Sequence, residues 1–524
     1  MLTNSTRRWL AGLGVAGAFV AASATPAAAA AEETPVKLGW YFNDTTVAAG
    51  TAGKIEDGTI YASAPTVLHD LTVRYDYSDL VGKVDFTAYD DTYDECDSPS
   101  TGVLLCVAQF ELGAEEWGLA GIFPVQVTPT KDAQDGDTGK LRMTVSAAGF
   151  DEITAESTVR IGEGVDLAAG PQTELSMAPG KGFTAPLKVT NAGETTAKGA
   201  TAIFFNDYGL NSTKHFSNCT YVDDELRTCQ FKDDLPAGAS FGATLPYVLG
   251  ADSFAPGFKY GEIVWMTPAE FEDFQGYLEY RGVTIGKPGT DGELTLTEAG
   301  TTSARGFQAD TQPDNNWSSL AVTVTGKNST DLEALGAKVS GKAGDTVTAT
   351  VGVRNNGPAT LDYSRGDSPV TYLTLDVPEG TTAVAVPQSC LPENGDEQGE
   401  PGEPKARHYR CFFEPFLKAG DKATLDFSLR IDKVIANATG LVKVNVPCPC
   451  DGGFSQDLKP SNDTAKVVVN ATAGGDGGQG GGDGGTLPIT GSATGLIAGL
   501  GALLLAAGAG GYVVARRRKT RFVA

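Results

Sequence analysis

Eight cysteines, three histidines and a surplus of carboxylates are the residues of this 524-residue chain whose types could do chemistry. His69, His215 and His408 lie far apart, none at metal-ligand spacing, and neither HExxH nor GxSxG occurs. The sequence therefore nominates neither a zinc centre nor a nucleophilic triad. A glycosidase needs two positioned carboxylates, and abundance alone positions none. The acidic runs YDDTYDECD (89–97) and DAQDGDTG (132–139) gather oxygen ligands of the kind calcium prefers, but neither has EF-hand spacing. They read as solvated loops, and no metal or cofactor is expected. Trp40, Trp117, Trp265 and Trp317 could stack on sugars, although core or edge packing is the commoner fate of such rings. Trp265, within the strand-like YGEIVWMT, reads as core, and Trp317, after PDNN, reads as exposed.

A different chemistry is written near residue 490. Leu487-Pro488-Ile489-Thr490-Gly491 precedes an uncharged, mostly apolar run from Ala493 to Ala515, followed by Arg516, Arg517, Arg518, Lys519 and Arg521. The run is long enough to cross a bilayer as a helix, and the basic cluster would keep its end cytoplasmic. At the other end, Arg7 and Arg8 lead into an apolar stretch and small residues through Ala31, the pattern of a secretory signal peptide cleaved near Ala31. The order of pentapeptide, apolar segment and basic tail resembles the LPxTG sorting signal of Gram-positive surface proteins. The resemblance implies recognition of Leu487, Pro488, Thr490 and Gly491 by a membrane transpeptidase, sortase. Its cysteine thiolate would attack the Thr490 carbonyl, release Gly491, and pass Thr490 to an amine of a peptidoglycan precursor. The chain would then be a substrate of that chemistry, membrane-inserted only before sorting and wall-linked afterwards.

Composition narrows the partners. The two removable pieces hold seven basic residues and no acidic one, so the formal charge moves from −25 to about −32 on processing. So acidic a protein is not expected to bind nucleic acid, whose phosphates need a basic face. The run AGGDGGQGGGDGG before the pentapeptide reads as a flexible tether.

Stepping residues alternate in between. Leu71, Val73, Tyr75 and Tyr77 do so, as do Phe183, Ala185, Leu187 and Val189. The same holds for Val347 to Val353, Leu425 to Ile431 and Val442 to Val446. Period two with Gly, Asn, Asp and Pro spacers predicts strands of β-sandwiches, and no long helical period interrupts them. The cysteines reveal a repeat: Cys106, Cys229 and Cys411 each precede a leucine by six residues (Leu112, Leu235, Leu417). The last two continue as LPAG and LKAG; VTNAG (189–193) matches VRNNG (353–357), VDL (165–167) matches TDL (330–332), and QPDNNW matches KPSNDT. These marks resemble the immunoglobulin-like, CARDB-like repeats of bacterial surface proteins. The expected fold is all-β, three tandem immunoglobulin-like sandwiches. The expected divisions are signal peptide 1–31, sandwiches 32–164, 165–328 and 329–472, linker 473–486 and sorting signal 487–524.

Paired by repeat position, the cysteines give Cys96–Cys106, Cys219–Cys229 and Cys390–Cys411, each constraining the unfolded chain by about 3 kcal/mol in the entropic account. Cys448 and Cys450 would make a strained disulfide with one residue between them, with free thiols or an inter-chain bond as alternatives. The expected protein is a non-catalytic, wall-anchored surface protein whose partners are sortase, peptidoglycan and an unidentified extracellular protein or glycan. The competing class is an exported enzyme acting on polysaccharide or peptide.

Overall fold

The computed structural model describes residues 35–89, 94–116, 118–297, 307–366, 368–394, 397–445 and 457–472. The segments expected to be signal peptide, Gly/Asp-rich linker and sorting signal, with Leu487, Pro488, Thr490 and Gly491, lie outside these residues, as do Cys448 and Cys450. The rest builds three immunoglobulin-like β-sandwiches in tandem, each a four-stranded sheet facing a larger one.

All three share one strand order. In the second sandwich the smaller sheet runs Leu167–Ala169, Gly182–Asn191, Ser240–Leu249, Leu210–Ser212. The larger begins Thr173–Met177, Trp317–Asn328, Ala255–Met266, Ala200–Asn206, Glu225–Phe231, Cys219–Val222. The first strand is thus split between the sheets, and its second half lies parallel to the last strand. The first and third sandwiches repeat this order, the first included despite its divergent sequence. Alternation explains the layering: in Gly182–Asn191, Ala185, Leu187 and Val189 point into the core while Lys188 is exposed. Each core lies between its two sheets, around Tyr75 in the first, Trp265 in the second and Phe427 in the third.

The cysteine pairs are cross-strand disulfides. Cys96 faces Cys106, Cys219 faces Cys229 and Cys390 faces Cys411 directly across a hairpin in the larger sheet. Disulfides belong to oxidising compartments, so this is an exported protein. The leucine six residues on turns inward in every copy. Leu112 pairs with Leu68, Leu235 with Ala197 and Leu417 with Leu361, which closes one end of the sandwich.

The other repeated marks are the hydrogen bonds of that closure. Asn191 and Asn355, both fully buried, sit at the ends of their strands. Asn191 Nδ2 donates to the Thr195 and Leu235 carbonyls at 2.8 and 2.7 Å, and Asn355 Nδ2 donates to those of Ala359 and Leu417 at 2.7 and 3.4 Å. Their Oδ1 atoms accept from Gly193 and Gly357 N–H. Gly357 must be glycine because a Cβ would stand 2.4 Å from Thr330 Cα. Asp310 and Asp457 each accept the N–H that opens a sandwich, Leu167 and Leu332, both at 2.7 Å. Asn315 and Asn462 then donate to Asp166 and Asp331.

One element departs from the all-strand expectation. Helix α1 (Pro268–Tyr280) interrupts the hairpin between the last two long strands of the second sandwich. Thr267 and Glu270 form a reciprocal capping box with proline at the first position. Its buried residues are Phe271, Asp273, Tyr277 and Leu278, so a carboxylate breaks the apolar stripe that would have marked it.

Removing one buried asparagine strands two carbonyls, at about 1–3 kcal/mol per buried polar group left unmatched. Asn355→Ala should destabilise the third sandwich by about 2 kcal/mol in denaturant unfolding. The neighbouring Asn356→Ala, which removes only an exposed hydrogen bond to Glu333, should stay within about 0.5 kcal/mol. Equal effects at the two positions would refute the closure role.

Candidate functional site at the junction of the first two sandwiches

The densest buried charge among the described residues lies where the first sandwich meets α1. Glu270 caps its own helix, accepting from Thr267 N at 3.0 Å. The same carboxylate takes Asp310 N at 3.0 Å and Lys54 Nζ of the first sandwich at 2.5 Å. The Lys54 and Glu270 side chains are only 16 and 11 % exposed. Burial works against the Glu270 charge, but Lys54 and the backbone donors outweigh it and hold the carboxyl below its usual range. Lys54 is correspondingly held above its own.

One turn along α1, Asp273 accepts from Thr46 Oγ1 at 2.8 Å and pairs with Arg160. Arg160 is shared with Asp44 and Glu272, at 3.7 and 4.0 Å. Burial pushes the Asp273 carboxyl up to about 7, against the pull of Thr46 and Arg160. Burial and the Glu270 charge push Asp310 up to about 6. At the far end of α1, Tyr280 stacks on Tyr41 with centroids 4.3 Å apart, and Arg281 donates to the Tyr61 hydroxyl at 2.9 Å. Finally, Gln308–Asp310 adds to the last strand of the first sandwich, in parallel with Glu163, Gly164 and Val165. Between these contacts runs a cleft of about 90 Å³, floored by Trp265 and Met266 and walled by Asn43, Asp44, Glu56 and Asn316.

The second junction is clamped by other means. Lys259 and Asp362, both under 10 % exposed, face each other at 3.4 Å. Arg365 bonds Asp207 and Glu262 at 2.8 and 3.0 Å, and Tyr208 meets Phe416 edge to face.

The residues weighed from sequence do not converge here. His69, His215 and His408 each pair with a single carboxylate, Glu111, Asp224 and Asp376. Asp137 of the 132–139 run pairs with Lys83 and caps its own turn. Residues 90–93 of the other run and Trp117 lie outside the described residues. Trp40 and Trp265 are core; Trp317 is 44 % exposed. Lys54, Glu270, Asp273 and Arg160 were not foreseen. Only the Thr-Pro-x-Glu start of α1 could have pointed to them.

No family model matches the chain, and no curated relative matches it. Solved structures similar to it include Dpr2 Ig1-Ig2 in complex with DIP-Theta Ig1-Ig3, at 8% identity. That alignment covers 83% of this chain and 99% of that one, with a TM-score of 0.20. The ICAM-5 D1-D4 ectodomain fragment aligns at 11% identity over 84% of this chain and 78% of that one, TM-score 0.14. Escherichia coli alpha-2-macroglobulin activated by porcine elastase aligns at 14% identity over 83% of this chain but 33% of its own, TM-score 0.14. At these scores the likenesses carry no argument about activity.

Breaking a buried ion pair on one side leaves the other charge unpaired, at about 3 kcal/mol or more. Lys54→Met should therefore destabilise the joined first two sandwiches by about 3 kcal/mol, and adding Glu270→Gln should restore most of it. A double-mutant cycle with no coupling would contradict the clamp.

The junction should also respond to pH. A carboxyl whose folded value is raised contributes stability that is complete below about pH 4 and is lost as pH climbs through the folded value. For Asp273 and Asp310 that window runs from about 4 to about 7. Thermal unfolding should show these groups favouring the junction more at roughly pH 5 than at roughly pH 8. Asp273→Asn should flatten that slope, and an unchanged slope would rule Asp273 out as its source.

Proposed function

We propose that this is a non-catalytic cell-wall surface protein that displays three clamped immunoglobulin-like sandwiches outside the cell, covalently attached to peptidoglycan through Thr490. The observation that carries this reading is the order of Leu487-Pro488-Ile489-Thr490-Gly491, the apolar run and the basic cluster. In that order the apolar run holds the pentapeptide at the membrane face while a sortase thiolate exchanges the Thr490–Gly491 amide for an acyl-enzyme bond. An amine of the wall precursor then takes the acyl group. The glycine-rich stretch 473–486 would set the folded part off from the wall.

The clamps support a display role. A chain meant to hold a binding surface away from the cell gains from joints that do not fold back, and both junctions are tied by buried ion pairs. The acidic surface of the processed chain fits a soluble, outward-facing protein. Adhesion, ligand capture and a structural stalk all share this architecture.

Thr490→Ala should move the protein from the wall fraction to membrane and medium. Muralytic digestion of walls from unaltered cells should release it carrying murein fragments, detectable by mass spectrometry. Wall retention of the variant, or release without attached muropeptide, would refute the anchoring.

A further inference from the structure

We infer that Lys259 and Asp362 condense into an amide, a covalent cross-link between the second and third sandwiches. The inference stands apart from the wall attachment and survives its failure.

The first observation is where the lysine points. In the strand Ala255–Met266, Phe258 and Tyr260 face solvent, 64 and 42 % exposed, while Lys259 between them is 6 % exposed. Alternation thus puts an amine in the phase that faces the core, opposite the buried Val322 of the next strand. A lysine there is unfavourable unless its charge is matched or lost.

The second observation is how poorly that charge is matched. An ammonium has three protons to donate. Among the described residues its one hydrogen-bond acceptor is Asp362 Oδ2 at 3.4 Å, and the Tyr208 ring centroid lies 6.0 Å away. Lys54 at the other junction differs. It meets Glu270 at 2.5 Å, and two backbone N–H groups complete that carboxylate. A buried ion pair holds up only with good geometry and full hydrogen bonding. Lys54 and Glu270 have both; Lys259 and Asp362 have neither.

The third observation is the orientation of the carboxyl group. Asp362 ends the short strand Leu361–Asp362 of the third sandwich. Its Oδ1 accepts from the Ser364 N–H at 3.2 Å, which leaves Oδ2 toward the amine. Passing one proton from Nζ to Oδ2 gives a neutral amine and a carboxylic acid and removes both charges from the buried site. The nitrogen lone pair then attacks Cγ, and the carbonyl electrons move onto Oδ1, beside the Ser364 N–H. As they return, the Cγ–Oδ2 bond breaks, a second proton passes from nitrogen to Oδ2, and one water departs. The amide that remains needs no counter-charge. Because the fold keeps the two groups facing each other, it supplies the proximity that an amine and an acid lack in solution.

The test is mass spectrometry of the full chain after digestion with trypsin, which cuts only beside an unmodified lysine or arginine. Without the cross-link the region gives three linear peptides, 233–259, 260–281 and 355–365. With it, 233–281 should appear uncut after Lys259 and joined to 355–365, lighter than the sum of the two by one water. Lys259→Arg keeps a cation but offers no amine, and should return the linear peptides. Asp362→Asn would expel ammonia instead of water and reach the identical product, so its branched peptide should match the wild-type one in mass. Linear peptides alone from the wild-type chain would overturn the inference, as would a cross-linked 355–365 that persists in Lys259→Arg.

Discussion

One carboxylate gathers more of the ties between the first two sandwiches than any other group described there. Glu270 receives the N–H of its own helix cap, the N–H of Asp310 and the ammonium of Lys54. The first contact starts α1, the second fixes the strand that joins the neighbouring sheet, and the third reaches the smaller sheet of the first sandwich. Its charge is tolerable at that depth only because these donors surround it. The cleft lies beside this carboxylate, so its walls are as fixed as the clamp that separates them.

Within each sandwich the governing constraint is different. Two facing sheets leave loops at their ends whose backbone groups are shielded from water and must be matched. Asn191 and Asn355 meet that need with one amide each, and Asp310 and Asp457 with one carboxylate each. These are the positions at which the second and third copies kept the same letters. The repeat is thus a record of hydrogen-bond obligations as well as of a few fixed core positions, Leu167 and Leu332, Leu235 and Leu417 and the paired cysteines, while elsewhere in the core one apolar residue can replace another.

This explains what could be read from the sequence. Alternation in Phe183–Val189 and Leu425–Ile431 marked strands because one face of each is buried. The cysteine–leucine interval marked a hairpin and its return because both ends of that interval are local. The junction left no such trace. Lys54 and Glu270 are 216 residues apart, and Lys259 and Asp362 are 103 apart. A contact that distant imposes no spacing on the chain. Helix α1 was hidden for a related reason: Asp273, on its buried side, serves the first sandwich and not its own.

The split first strand has a mechanical consequence. In every copy its second half runs parallel to the final strand: Thr45–Ala48 beside Val159–Gly162, Thr173–Met177 beside Leu320–Val324, Ala337–Val339 beside Val467–Val469. A tether pulled at one end and a cargo tugging at the other would drag these neighbours in opposite directions along their length. The rungs between them would then be strained together in shear instead of peeling apart one after another, so each copy meets tension with its whole seam at once.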